Sequence, residues 1–326
     1  LKTPPPPVAA APSGPFPSPG ALKRMAGLRT AATALAVALW GVGRARATVL
    51  QLIQWNLHGE CFQRCDGHNS GHCDRNYPAC RDHSTAFLTE LMGGQHAPGG
   101  PPDFAGIEQL GDREFLSSGL PGWGRALHVC GGARGYGTYP FDVAALFFNR
   151  HRWEPVSRPE GGCMEHVWGS PVNNYRAYVM QTFSLKEDPE VKVVVVVAHW
   201  SHAVWGLPAM EHTLRSMQLR TGTRQTILLA DTNRECRTPS WSIMRKLYPA
   251  ARTVASAKLH RTCCVPHFQH CYDRIIAADF PGASGIIPTS LPLPEFVVQD
   301  WSAPNQHHPI KAMLSFGPSE PTARLI

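Results

Sequence analysis

The chain has 326 residues, 43% of them hydrophobic and 17% charged, a make-up that supports a sizeable core and excludes a wholly disordered or fibrous protein. Six units of its formal charge of +7 come from the first 47 residues, where Lys2, Lys23, Arg24, Arg29, Arg44 and Arg46 stand without an acid; the remainder carries 25 basic against 24 acidic residues, a net of +1. The high pI therefore does not identify a polyanionic partner.

Residues 1–24, "LKTPPPPVAAAPSGPFPSPGALKR", hold eight prolines and no acid, so they are expected to be a disordered leader or upstream translated sequence before Met25. From Met25 the composition changes: Arg29 precedes the apolar run "AATALAVALWGV", and Ala45 and Ala47 form a small-x-small pair. The run is too short for a bilayer span of ~20 residues, so 25–47 reads as a secretory signal cleaved after Ala47, and no membrane span remains in the mature form. All ten cysteines follow that point, as an oxidising compartment requires. Four of them, Cys61, Cys65, Cys73 and Cys80, crowd one segment with His68 and His72. Cys-x2-Cys pairs are missing there, which favours two disulfides stapling a loop over a zinc site.

Apolar, β-branched runs predict strands at 49–57, 104–110, 143–149, 178–185, 191–200, 226–231, 273–278, 296–301 and 310–316. Helical spacing predicts helices at 81–94, 206–222 and 240–248, and "KEDPE" predicts a hairpin turn. Many strands with few helices between them predict two packed sheets covered by helices.

Several of these strands end in residues that a buried strand disfavours. Asn56, Glu108, His199 and Asp231 with Asn233 close four of them, Asp273 opens another, and His307 precedes the last. Strands do stop at polar residues because loops are wet. Six edges with metal-ligand or acid–base residue types are a pattern, and in packed sheets their ends would meet on one rim. Carboxylate and amide oxygens there suit a hard cation, with histidines for proton transfer.

The motifs "IQWNLHG", "FAGIEQL", "VVVAHWSH", "LLADTNRE", "YDRIIAAD" and "NQHHPI", in this order over about residues 49–316, resemble the endonuclease/exonuclease/phosphatase superfamily. The resemblance is closest to its secreted deoxyribonuclease I-like branch. It implies an α+β fold, a four-layer αββα sandwich of two mainly antiparallel sheets flanked by helices, over residues 48–326 with a cysteine-rich insertion at 58–82. It implies hydrolysis of phosphodiester bonds, DNA foremost, by a monomer dependent on Mg²⁺, with Mn²⁺ or Ca²⁺ as alternatives.

By the same resemblance Glu108 is the principal metal ligand with Asn56 beside it. Asp231 orients or deprotonates the attacking water, Asn233 holds phosphate or water, and His199 and His307 flank the scissile phosphate. Asp273 is the expected carboxylate partner of His307 and Asp142 that of His199, while Arg176 stands where the branch has a phosphate-contacting arginine. Cys236 and Cys271 correspond to a disulfide of that branch, with Cys263 and Cys264 as competitors. His202 and His308 read as bystanders, and Trp200 and Trp205 as cleft or core residues. One position departs from the pattern: Gln306 replaces an expected aspartate near the metal, which predicts weaker metal affinity. Two other readings share these residues: a sphingomyelinase-like, phosphoinositide-directed or toxin-type phosphoesterase, and a catalytically weakened homologue that only binds.

Overall fold

Five consecutive valines, Val193 to Val197, show how the layers are built. Side chains alternate across a strand. Val193, Val195 and Val197 enter the core between the two sheets, while Val194 and Val196 enter a second core against helices. A strand covered on both faces can be apolar at every position. The computed structural model describes residues 47–57, 77–95, 100–109, 120–131, 141–165, 175–201, 207–256, 261–263, 270–283, 286–290 and 307–317.

The first sheet has the order β12 (Ile286–Ser290), β13 (Ile310–Phe316), β1 (Thr48–Asn56), β2 (Phe104–Glu108), β4 (Phe141–Asn149), β3 (Trp123–Gly131). The second runs β10 (Val254–Ser256), β11 (Asp273–Ala278), β9 (Thr226–Asp231), β8 (Asp188–His199), β7 (Tyr175–Leu185), β5 (Trp153–Pro155), and β6 (Glu160–Glu165) also pairs with β7. Each sheet contains one parallel pair, β1–β2 and β8–β9, among antiparallel neighbours. The helix α1 (Tyr77–Gly93) covers the outer face of the first sheet through Phe87, Leu88, Leu91 and Met92. On the outer face of the second lie α2 (Leu207–Thr221) and α3 (Ser240–Leu247), through Met210, Leu214, Met217, Ile243 and Leu247. The result is the four-layer αββα sandwich expected. No described helix is long and apolar enough to cross a membrane.

The sheets come closest at Gly106, where a Cβ would stand 2.6 Å from the Cβ of Leu229 and 3.0 Å from Val197. A disulfide between Cys130 on β3 and Cys163 on β6 also ties the first sheet to the second. At the end of the sandwich where β2 begins, buried Asp103 accepts hydrogen bonds from the Gln51 amide, Arg152 and the Trp153 indole, which joins the connection after β4 to the start of β2.

Every predicted strand within the described residues is present, and the turn is the tight β7–β8 connection. Five further strands were not expected, and each has a physical reason to be hard to read. β5 and β10 are three residues long, and β12 carries Pro288 at an edge. β6 carries Gly161 and Gly162 directly after its first residue, and at Gly161 a Cβ would meet His128 at 2.6 Å. β3 is an edge strand whose Leu127 and Val129 are exposed, so its apolar residues do not mark a buried face. The predicted strand at 296–301, the leader and signal at 1–46, and Cys61, Cys65, Cys73, Gln306, His202, Trp205 and Cys264 lie outside the described residues.

Candidate active site

The inner face of each central strand is apolar until it reaches one end of the sandwich, where it turns polar. Leu50 and Leu52 are followed on that face by Gln54 and Asn56, and Phe104 and Gly106 by Glu108. Val197 is followed by His199, and Leu229 by Asp231. In the antiparallel neighbours the polar residue comes first, Asp273 before Ile275 and Asp142 before Ala144. These residues and His307 are at most 6% exposed. Register fixes who faces whom: Asn56 lies opposite Glu108, and Asp231 lies between His199 and Asp273.

Asp231 is the centre of the arrangement. Its Oδ1 accepts the Asn233 backbone N–H at 2.9 Å, and its Oδ2 accepts the Asn56 side-chain amide at 2.8 Å. The same Oδ2 faces His199 Nε2 at 3.5 Å and His307 Nε2 at 3.8 Å. Burial alone would raise this carboxyl, but the two histidines and the two amide donors hold it below the usual carboxylate value. Asn233 sits at φ +47°, a left-handed conformation that asparagine tolerates, and donates its side-chain amide to the Trp200 carbonyl at 2.7 Å.

Each histidine is backed by a carboxylate. His307 Nδ1 lies 2.7 Å from Asp273 Oδ2; burial would lower the imidazole, yet the Asp273 charge and hydrogen bond and the Asp231 charge raise it above its ordinary value. Its Nδ1 is thereby turned to Asp273, and its Nε2 faces Asp231 across 3.8 Å. His199 Nδ1 lies 3.3 Å from Asp142 Oδ1 and 3.2 Å from Arg176 Nη1. One ring nitrogen cannot both donate and accept. Arg176 also lies 3.7 Å from Asp142 Oδ1, so the tautomer with a proton on Nδ1 leaves the carboxylate bonded on both sides and the arginine paired with it. Burial would raise Asp142; the His199 charge and hydrogen bond, Arg176 and the Ala177 amide at 2.8 Å lower it.

Glu108 differs from the other carboxylates. Burial, then the nearby Asp273 and Asp231 charges, push its carboxyl well above the usual range, against one hydrogen bond from Gln54. Its Oε1 is buried and accepts no hydrogen bond among the described residues. An unpaired buried carboxylate oxygen amid further carboxylates fits a divalent cation, which would supply the missing counter-charge. Asp231, Asp273 and His307 also bring ligand atoms within 4.8 Å of one another. The trio of His128, Cys130 and Cys163 does so too, but its sulfurs are joined in a disulfide.

The structure brings together Asn56, Glu108, Asp142, Arg176, His199, Asp231, Asn233, Asp273 and His307. Cys236 and Cys271 are disulfide-bonded, which clamps the segment after Asn233 to the residue pair before Asp273. His308 donates its backbone N–H to the Thr262 carbonyl at 2.8 Å, and Trp200 lies in the core of the second sheet with α2 and α3. Two residues of the site escaped the sequence reading. Gln54 bridges Glu108 and Asp273, and Trp55 donates its indole N–H to the His307 carbonyl at 3.0 Å. Gln54 carried a signal: it shares the parity of Leu50 and Leu52, where a buried strand wants an apolar residue. Trp55 carried none, because a tryptophan on the outer face reads as core.

No family model matches the sequence, and no curated protein matches it. Solved structures do match. An endonuclease/exonuclease/phosphatase from Bacteroides vulgatus is similar over 82% of this chain and 99% of its own, with a TM-score of 0.53 at 14% identity. A family protein of the same description from Bacteroides thetaiotaomicron is similar over 83% and 99%, at 0.52 and 14%. The human Nocturnin catalytic domain, solved with a sulfate anion, is similar over 84% and 99%, at 0.51 and 15%. The layers, the two parallel pairs and these likenesses agree, and this chain has the endonuclease/exonuclease/phosphatase fold, the deoxyribonuclease I-like αββα sandwich.

Proposed function

We propose that this protein is a secreted, divalent-metal-dependent phosphodiesterase, and that its substrate is DNA. One observation carries the reading: the Asp231 carboxylate is held between two carboxylate-backed histidines and an asparagine amide, with the unpaired Glu108 oxygen nearby. Phosphodiester hydrolysis needs an oriented water, a counter-charge on the phosphate and a proton for the leaving oxygen. Glu108 with Asn56 would hold the cation, which when bound supplies charge neutralisation at the phosphate. Mg²⁺ is proposed, with Mn²⁺ or Ca²⁺ as substitutes.

The chain's own groups divide the remaining work. Asp231, kept ionised by its neighbours, takes a proton from the attacking water, and Asn233 holds that water or a phosphate oxygen. As the new P–O bond forms and the old one breaks, protonated His307 gives its Nε2 proton to the leaving oxygen while its Nδ1 stays hydrogen-bonded to Asp273. His199, turned by Asp142, serves the other side of the phosphate, and Arg176 binds a non-bridging oxygen. Secretion is supported by the disulfides and by β1 starting at Thr48, directly after the proposed signal at 25–47. DNA as substrate is supported by the Cys236–Cys271 bridge beside the site, in the position typical of the deoxyribonuclease I-like branch.

Plasmid nicking by the oxidised protein with Mg²⁺, Mn²⁺ or Ca²⁺, beside a His199→Ala control, tests the proposal. We expect metal-dependent nicking that the control lacks. Turnover of sphingomyelin or a phosphoinositide, with no cleavage of DNA or RNA in any metal, would transfer the site to another phosphoester.

A further inference from the structure

One polar side chain of the site has no part in the scheme above. Gln54 is completely buried two residues before Asn56. Its Nε2 donates to Glu108 Oε2 at 2.9 Å and to Asp273 Oδ1 at 3.0 Å. The first acceptor belongs to β2 in its own sheet and the second to β11 in the other. Charge decides how the amide is turned, because its oxygen in the same place would face two carboxylates. That choice leaves the buried Oε1 without a hydrogen-bond partner among the described residues. A fold keeps such an orphan where the two donated bonds matter more.

We infer that Gln54 is a positioning residue that fixes Glu108 relative to the Asp273–His307 pair. The inference rests on the reading of this site as a phosphodiesterase centre. Asp273 offers two oxygens: Oδ2 receives His307 and Oδ1 receives Gln54. With both engaged the carboxylate cannot turn, and neither can the imidazole it holds. On the other side, the hydrogen bond to Glu108 Oε2 leaves Oε1 as the oxygen presented to a cation. Gln54 therefore selects the free oxygen of the ligand and the tilt of the histidine together. Its shape and charge are specific to the position. Asparagine is one methylene short, methionine has the length without the donors, and glutamate adds a third negative charge between two others.

The test uses Gln54→Met and Gln54→Glu in the oxidised protein, with thermal unfolding as the check on folding. We expect Gln54→Met to weaken Mn²⁺ binding, read by electron paramagnetic resonance, by about 10- to 100-fold, as loss of a hydrogen bond to a metal ligand does. The NMR signal of the His307 Nδ1 proton, assigned by its loss in His307→Ala, should move and exchange faster in the metal-free protein. For diester cleavage kcat should fall by a factor similar to that in Mn²⁺ affinity while KM stays nearly constant. Gln54→Glu should be worse on all counts. A folded Gln54→Met protein with wild-type Mn²⁺ affinity and an unmoved Nδ1 signal overturns the inference. If Gln54→Met does not fold, Gln54→Asn is judged by the same two readings. The NMR signal needs neither metal nor substrate, so a shifted signal in a protein that cleaves no diester sinks the functional reading alone, and an unshifted one in an active enzyme sinks the positioning role alone.

Discussion

Asn56 and Asp231 are joined by a 2.8 Å hydrogen bond that crosses from one sheet of the sandwich to the other. The two histidines, then the Asn233 and Asn56 amides, hold this carboxyl below its usual value, and the Asn56 N–H shares the oxygen that faces the histidines. Asn56→Ala should lower kcat by about 10- to 100-fold, the usual loss when a group that orients a reacting carboxylate is removed. Asn56→Asp should cost more, because it sets a second carboxylate against the first. Steady-state kinetics on a plasmid substrate, with circular dichroism to verify folding, measures both; equal rates in the two variants would show that charge at this contact is unimportant.

Metal should stabilise the fold and not only the reaction. A cation at one hundred times its Kd adds about 2.7 kcal/mol by mass action, which for a domain of this size raises Tm by roughly 4–5 °C. Glu108→Gln should lose most of that gain while keeping a cooperative transition. Calorimetry in EDTA and in excess Mn²⁺ reads the difference, and a variant that still gains the full shift would remove Glu108 from the ligand set.

Far from the site, Asp279 makes a pH-dependent anchor for the segment around α3. Burial would raise its carboxyl, but hydrogen bonds from the Tyr248 hydroxyl at 2.8 Å, from the Thr253 and Arg252 amides, and from Arg224 hold it below the usual carboxylate value. Tyr248 moves the other way, pushed up to about 12 by burial and then by Asp279. For the depressed aspartate, stability is present above the unfolded value of about 3.9 and is lost as pH falls below it. For the raised tyrosine, stability is present below about 10 and is lost as pH rises toward the folded value. Tyr248→Phe should therefore remove the step near pH 12 from an alkaline tyrosinate absorbance titration and soften the acid limb of stability.

The Cys236–Cys271 bridge closes a loop with a sequence separation of 35 residues. Chain-entropy arguments give roughly 3–4 kcal/mol for such a loop, so Cys236→Ser with Cys271→Ser should shift the denaturant midpoint accordingly. The bridge also holds the segment that carries Asn233. Activity measured well below the new Tm should fall further than the folded fraction does; parallel losses would make the disulfide a purely structural element.

Much of this arrangement can be read from the sequence, because the same alternation that builds the core also marks its end. Asp231 follows Leu229 at a spacing that allows only the inner face, and the residue types at the other strand ends repeat that pattern. What stayed illegible depends on partners distant in sequence. Gln54 acquires its meaning only when β11 arrives 219 residues later, and the Cys130–Cys163 bridge only when β3 and β6 meet across the sheets. The edge strands β5, β6, β10 and β12 are short, glycine-rich or interrupted by proline, so their pairing comes from neighbours and not from their own propensity.

The valine run of β8 carries a hazard for folding. A strand that is apolar on both faces can slip by one residue and still bury its side chains, so hydrophobicity alone does not choose its register. His199 removes the ambiguity: one step of slippage would drive the imidazole into the helix-facing core and bring Trp200 to Asp142. Asp231 and Asp273 impose the same condition on β9 and β11, where a shifted carboxylate would be buried among leucines and methionines. The polar cluster thereby works as a set of alignment marks, and variants that neutralise it should reach misregistered states during refolding more often than variants of the apolar core.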